Sequence, residues 1–222
     1  MIPWVELDSV TTPDGQSLRL KRRGEEYSIM LGTNELMNSR LSGSEEALAR
    51  LSIERVGPKV APHILIGGLG MGFTLRAALS ALGAEARVSV AELIPAVPRW
   101  AREHMASVFS GCLDDPRVSL KVADVRDLIG SGKGAYDAIL LDVDNGPEGL
   151  TVDTNDALYS HAGLADARNA LAPGGVLAVW SSGPDSGFTR RLRQAGFGVE
   201  EVNTRARGKR GARHVIWLAR KG

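Results

Sequence analysis

The chain has 222 residues, 43% hydrophobic and 24% charged, with a formal net charge of +1. These ordinary globular values exclude disordered, collagen-like and coiled-coil classes, and the near-zero charge gives no reason to expect nucleic acid or an anionic membrane as partner. The single cysteine, Cys112, forms no internal disulfide, no Cys/His cluster has zinc-ligand spacing, and no apolar run approaches the ~20 residues of a membrane span. The opening MIPWVELDSV lacks the basic and apolar regions of a leader. The expectation is a cytoplasmic protein acting on a small molecule, with one α/β core and a small appendage.

Trp4 to Val10, Gln16 to Lys21 and Tyr27 to Leu31 read as short strands, with Pro13-Asp14-Gly15 and Gly24 as turns. Residues 1–60 are therefore expected to form a β appendage that ends in a helix. Ser44-Glu45-Glu46 reads as the cap of that helix, which runs from Ala47 to Val56 and stops at Gly57-Pro58. From His63 onward apolar strands alternate with amphipathic helices. HILIGG precedes a helix through Ala78, VSVAEL a helix through Met105, and SLKVAD and YDAILLDV follow. A helix around Leu164 to Leu171, the break Ala172-Pro173-Gly174-Gly175, the strand VLAVW and a helix from Gly187 to Gln194 complete the alternation. Such alternation demands a parallel sheet with crossover helices. The last two strands, Gly198 to Thr204 and His214 to Ala219, are joined by the basic loop RARGKRGAR, too short for a crossover, so the final strand is antiparallel. The expected fold over 61–222 is a doubly wound, Rossmann-like, mostly parallel seven-stranded sheet of methyltransferase type. Trp100 and Trp180 read as core, and the four histidines as packing or surface residues.

The chemistry concentrates at strand ends. Gly67, Gly68, Gly70 and Gly72 follow a buried strand and open a helix, letting backbone approach a ligand and offering free amides. A dinucleotide fingerprint would need glycine where Phe73 stands, which disfavours NAD. Glu92 ends the second strand, at the distance where such folds keep an acid for ribose hydroxyls, and Asp124 ends the third, placed for an adenine amino group. Leu93 and Val125, the next residues along, belong to the same expected cofactor set. Asp142 ends the fourth strand, with Asp144 close by. Each acid alone reads as a solvated strand end; four successive strands delivering glycine or carboxylate to one edge is what binding at a switch point requires.

The order of these segments resembles the spermidine synthases and their relatives among the polyamine aminopropyltransferases, from Leu31 to Phe197. IGGLGMGFTLR is similar to that family's glycine loop, VAELIPAVPRWARE to its second-strand acid and helix, DDPRVSLKVADVRDLI to its adenine-side segment, and YDAILLDVDNGP to its catalytic D-x-x-D-P strand. LYSHAGLADARNALAPGGVLAVW resembles the segment that follows. The resemblance implies a nucleoside-sulfonium ligand with Glu92 on ribose, Asp124 at adenine and Asp142 facing the reacting amine. It also implies N-terminal strands pairing across a homodimer. Two of the family's acids fall on Gly70 and Asn145, and LGTNELMNSRLSGSEEALAR lacks the tyrosine and histidine of its gate motif.

Loss of acids weakens the grip on a diamine, while an acid-free glycine loop would not repel the carboxylate of S-adenosylmethionine. The sequence therefore leans to S-adenosylmethionine, or its decarboxylated form, as cofactor. The expected enzyme is a transferase passing a methyl or related group to a small acceptor, with Asp142 and Asp144 as the catalytic candidates. A true aminopropyltransferase and a non-catalytic nucleoside-binding protein are the alternatives.

Overall fold

The computed structural model describes residues 2–143, 157–207 and 210–222. Four strands open the chain as an antiparallel sheet in the order β1-β2-β3-β4: β1 (Val5–Thr11), β2 (Ser17–Arg23), β3 (Glu26–Leu31) and β4 (Asn34–Asn38). The last of these was not expected, since only Leu36 and Met37 in NELMN are apolar. Helix α1 (Gly43–Val56) then leads into the core. Its N-cap is Ser42, and no side chain caps it. The cap-like reading of Ser44-Glu45-Glu46 is thus corrected: Ser44 and Glu45 lie inside the first turn, where the Ser44 hydroxyl donates to Glu45 Oε2 at 2.6 Å.

The second sheet contains β5 (His63–Gly67), β6 (Arg87–Glu92), β7 (Val118–Val122), β8 (Tyr136–Leu141), β9 (Leu171–Ser181), β10 (Phe197–Arg207) and β11 (Arg210–Lys221). Its order is β10-β11-β9-β8-β5-β6-β7. Strands β5 to β9 run parallel, and β11 lies antiparallel between β9 and β10. This is the expected methyltransferase-type sheet. Its central parallel strands are buried on both faces, as the run Ile64, Leu65, Ile66 shows with no exposure at any of the three, while the edge strand β7 is largely open.

The crossover helices are α2 (Phe73–Ala81), α3 (Ala96–Glu103), the single turn α4 (Ala106–Phe109), α5 (Val125–Ser131), α6 (His161–Ala170) and α7 (Ser186–Gln194). Chain order reverses between β5 and β8, which opens the crevice where doubly wound folds take ligands. The N-terminal sheet closes over that side: Leu18, Leu20, Tyr27, Ile29 and Leu31 belong to the same apolar cluster as Ile64, Met71 and Trp100. One polar tie reinforces this, as the fully buried Trp100 donates its indole N–H to Asp8 Oδ2 at 2.6 Å. None of the described helices is long and apolar enough to cross a membrane.

Candidate active site

Strand register assembles the site. Gly67 pairs with Ala91 of β6 and with Leu141 of β8, and Glu92 pairs with Val122 of β7. The residues following these pairs therefore emerge at one edge: the glycine loop, Glu92, Asp124 and Asp142. Gly68, with φ of 89°, fits because a Cβ there would lie 2.3 Å from the Asp142 carbonyl oxygen. Only glycine permits so close a crossing of loop and β8. Gly70 also has positive φ, and the space a side chain would take there is held by Met37, whose Sδ would be 2.7 Å from its Cβ.

A cavity of about 480 Å³ occupies the crevice, within the range of small-molecule sites. Of the residues expected to bind cofactor, Gly68, Gly70, Glu92, Leu93, Asp124, Val125 and Asp142 line it. Gly67 and Gly72 do not: Gly67 is the last residue of β5, and Gly72 is the N-cap of α2. Asp144 and Asn145 lie outside the described residues. The sequence reading missed the contribution of the N-terminal sheet and α1, which bring Thr12, Asp14, Met37 and Glu45 to the same space. Trp180, partly buried and packed against the apolar core as expected, also lines it, and no partner for its Nε1 exists among the described residues.

Each acid is held differently. Glu92 is buried; its Oε2 accepts from the Leu69 amide at 2.9 Å and its Oε1 from the Ile94 amide at 2.8 Å. Burial raises its pKa, against the lowering effect of those amides. The amides of Gly70 and Leu93 also act on this carboxylate and lower its pKa, so backbone holds it from the glycine loop and from the turn after β6. Asp124 caps α5 by accepting from the Arg126 amide at 2.8 Å, and Arg126 Nη2 reaches its Oδ2 at 2.7 Å. Burial pushes its carboxyl up, but the bonds from Arg126 prevail and hold it below the ordinary value.

Asp142 is pushed up to about 7, first by burial and then by the charge of Glu45, while a hydrogen bond from Thr74 opposes the shift. That bond runs from Thr74 Oγ1 to Asp142 Oδ2 at 2.6 Å. Burial raises Glu45 as well. On the side of the N-terminal sheet, the turn at Asp14 is fastened by Thr12, whose hydroxyl donates to the Asp14 carboxylate and lowers its pKa. The described lining thus presents five carboxylates, Asp14, Glu45, Glu92, Asp124 and Asp142, and no lysine, arginine or histidine.

No family model matches the chain. Among curated proteins, polyamine aminopropyltransferase 2 of Pseudomonas aeruginosa is 35% identical over 120 residues, covering 52% of this chain and 32% of its own. The polyamine aminopropyltransferase of Mycobacterium tuberculosis is 34% identical over 148 residues, 63% of this chain and 27% of its own. The chain is a relative of the polyamine aminopropyltransferases. It spans about a third or less of the length of these curated relatives. Among solved structures, spermidine synthase from Thermotoga maritima superposes with a TM-score of 0.78 over 98% of this chain and 73% of its own, at 21% identity. A spermidine synthase in complex with the transition state analogue AdoDATO gives 0.76 over 98% and 72%, at 19% identity. This aminopropyltransferase relative therefore has the spermidine synthase fold. These relatives are named for aminopropyl transfer, the expected alternative, and not for the methyl transfer to which Gly70 pointed.

Proposed function

We propose that the protein is a transferase that moves the aminopropyl group of decarboxylated S-adenosylmethionine to an amine. One observation carries this reading: the cavity that adjoins the glycine loop is lined by five carboxylates and no basic side chain among the described residues. Low-dielectric walls focus such a field, so the cavity favours a sulfonium and amines and disfavours a pyrophosphate.

Gly68 and Gly70 present bare backbone to the nucleoside at the cavity wall, Glu92 faces its ribose hydroxyls, and Asp124 stands at the adenine end. Leu93, still 39% exposed, supplies apolar surface for the base. In the transfer, the lone pair of the acceptor nitrogen attacks the methylene carbon next to sulfur. The C–N bond forms as the C–S bond breaks, its electrons pass to sulfur, and neutral methylthioadenosine leaves. The new ammonium then loses one proton. Asp142, with a pKa near 7, is matched to receive it at neutral pH.

The test supplies decarboxylated S-adenosylmethionine with putrescine, cadaverine, spermidine or a monoamine, and measures release of methylthioadenosine. Amine-dependent release is expected. Formation of S-adenosylhomocysteine from S-adenosylmethionine, with a methylated acceptor and no aminopropyl product, would overturn the reading.

A further inference from the structure

Resting on that function, we propose that Glu45 selects a decarboxylated sulfonium nucleoside over a carboxylated one, by joining Asp142 in a pair of acids that receives the ligand's terminal ammonium. The two residues come from distant parts of the chain, the first turn of α1 and the end of β8, yet line one cavity. Thr74 ties the two segments: its hydroxyl donates to Asp142 Oδ2 at 2.6 Å and lies 3.4 Å from the Glu45 carbonyl oxygen.

The Glu45 side chain is not a free surface acid. Ser44 Oγ donates to its Oε2 at 2.6 Å, and His214 Nδ1 lies 2.9 Å from the same hydroxyl. His214 in turn packs edge-on against the cavity-lining Trp180, with ring centroids 4.8 Å apart. The acid is thus held by a chain of contacts that reaches back to the cavity wall.

The glycine loop contributes no side chain here, because Met37 fills the volume beside Gly70. Acidity comes instead from α1 and β8. Two neighbouring carboxylates repel one another, and burial works against ionising either. An ammonium placed between them relieves both penalties, whereas a ligand that adds its own carboxylate brings a third negative charge to the same place. This acid therefore reverses the preference for S-adenosylmethionine that the absence of an acid at Gly70 suggests.

The test is calorimetric titration of the wild-type protein and of Glu45→Gln with decarboxylated S-adenosylmethionine, S-adenosylmethionine and methylthioadenosine. The wild-type protein should prefer the decarboxylated ligand by about tenfold or more, and Glu45→Gln should shrink that ratio by about tenfold, the scale of a hydrogen bond to a charged group. Methylthioadenosine lacks the amine, so its affinity should change less than about twofold, which also shows that the variant is folded. A ratio unchanged in Glu45→Gln, or equal losses for all three ligands, would overturn the role of Glu45. Wild-type protein that binds methylthioadenosine but shows no preference between the two sulfonium ligands would overturn it while leaving the nucleoside site standing. Failure of methylthioadenosine to bind the wild-type protein would bring down the proposed function itself.

Discussion

Asp142 has a backbone role and a side-chain role that can be separated. Its amide donates to the Gly67 carbonyl at 2.9 Å and its carbonyl is what excludes a Cβ at Gly68, so the loop geometry depends on main-chain atoms. The carboxylate is left for chemistry. Asp142→Asn should keep the fold and bind methylthioadenosine as the wild type does, while lowering the single-turnover rate of transfer by roughly 10²–10⁴, the usual range for a general base. Retained transfer would show that the proton leaves by another route. Asp142 and Glu92 were legible in the sequence because each ends an apolar strand, a place where a buried run suddenly yields an acid. Glu45 was not. An acid in the first turn of a helix reads as a partner for the helix dipole, and nothing in the local sequence shows that the turn faces the end of a strand far along the chain.

At the scale of elements, the N-terminal sheet is part of the site, because β2, β3, β4 and the turn between β1 and β2 carry one wall of the cavity. Its attachment depends on apolar packing and on the bond from Trp100 to Asp8, which is the first cause of the lowered pKa of Asp8. The ion pair of Asp8 with the half-exposed Arg99 adds little in comparison. Asp8→Ala leaves a buried indole N–H without a partner, which should cost about 1–3 kcal/mol in denaturant unfolding. The same variant should bind methylthioadenosine more weakly, since loosening β1 loosens the turn at Asp14. An unchanged unfolding midpoint would mean that water or another acceptor takes over the indole.

The parallel core was legible from hydrophobic runs alone, and three strands of the appendage from their turns. Strand β4 escaped because its polar ends hide two apolar residues, and α5 because its seven residues hold too few turns to show a period. The N-terminal sheet and the core come together only in three dimensions, so the cavity that they share could not be read from either segment.

The whole molecule carries two sets of acids with opposite pH behaviour. Asp8, Asp14, Asp115 and Asp124 have lowered pKa values, Asp115 at about 2 through its bonds from Arg117. Their stabilisation is present above the ordinary carboxylate range and is lost as pH falls through the lowered values. The buried cavity acids Glu45, Glu92 and Asp142 behave in reverse. Asp142 rises from 3.8 in the unfolded chain to about 7 in the folded one, chiefly through burial and then the charge of Glu45. The folded protein thus holds a proton that the unfolded chain has already released, so this stabilisation is complete below pH 3.8 and is lost as pH rises through about 7.

His63 and His214, lowered first of all by burial, oppose this trend, since a neutral buried imidazole gains stability as pH rises. Comparison with Asp142→Asn removes their effect, because both proteins keep the two histidines. The variant's advantage over the wild type in melting temperature should be small near pH 5, where the folded protein still holds the Asp142 proton, and should grow as pH rises. The variant should exceed the wild type by on the order of a few degrees at pH 8, where Asp142 carries a charge that the amide does not. Decarboxylated S-adenosylmethionine should close that gap by giving the ionised Asp142 a cation to face. A difference in melting temperature that stays constant between pH 5 and pH 8 would mean that Asp142 does not change protonation state across this range.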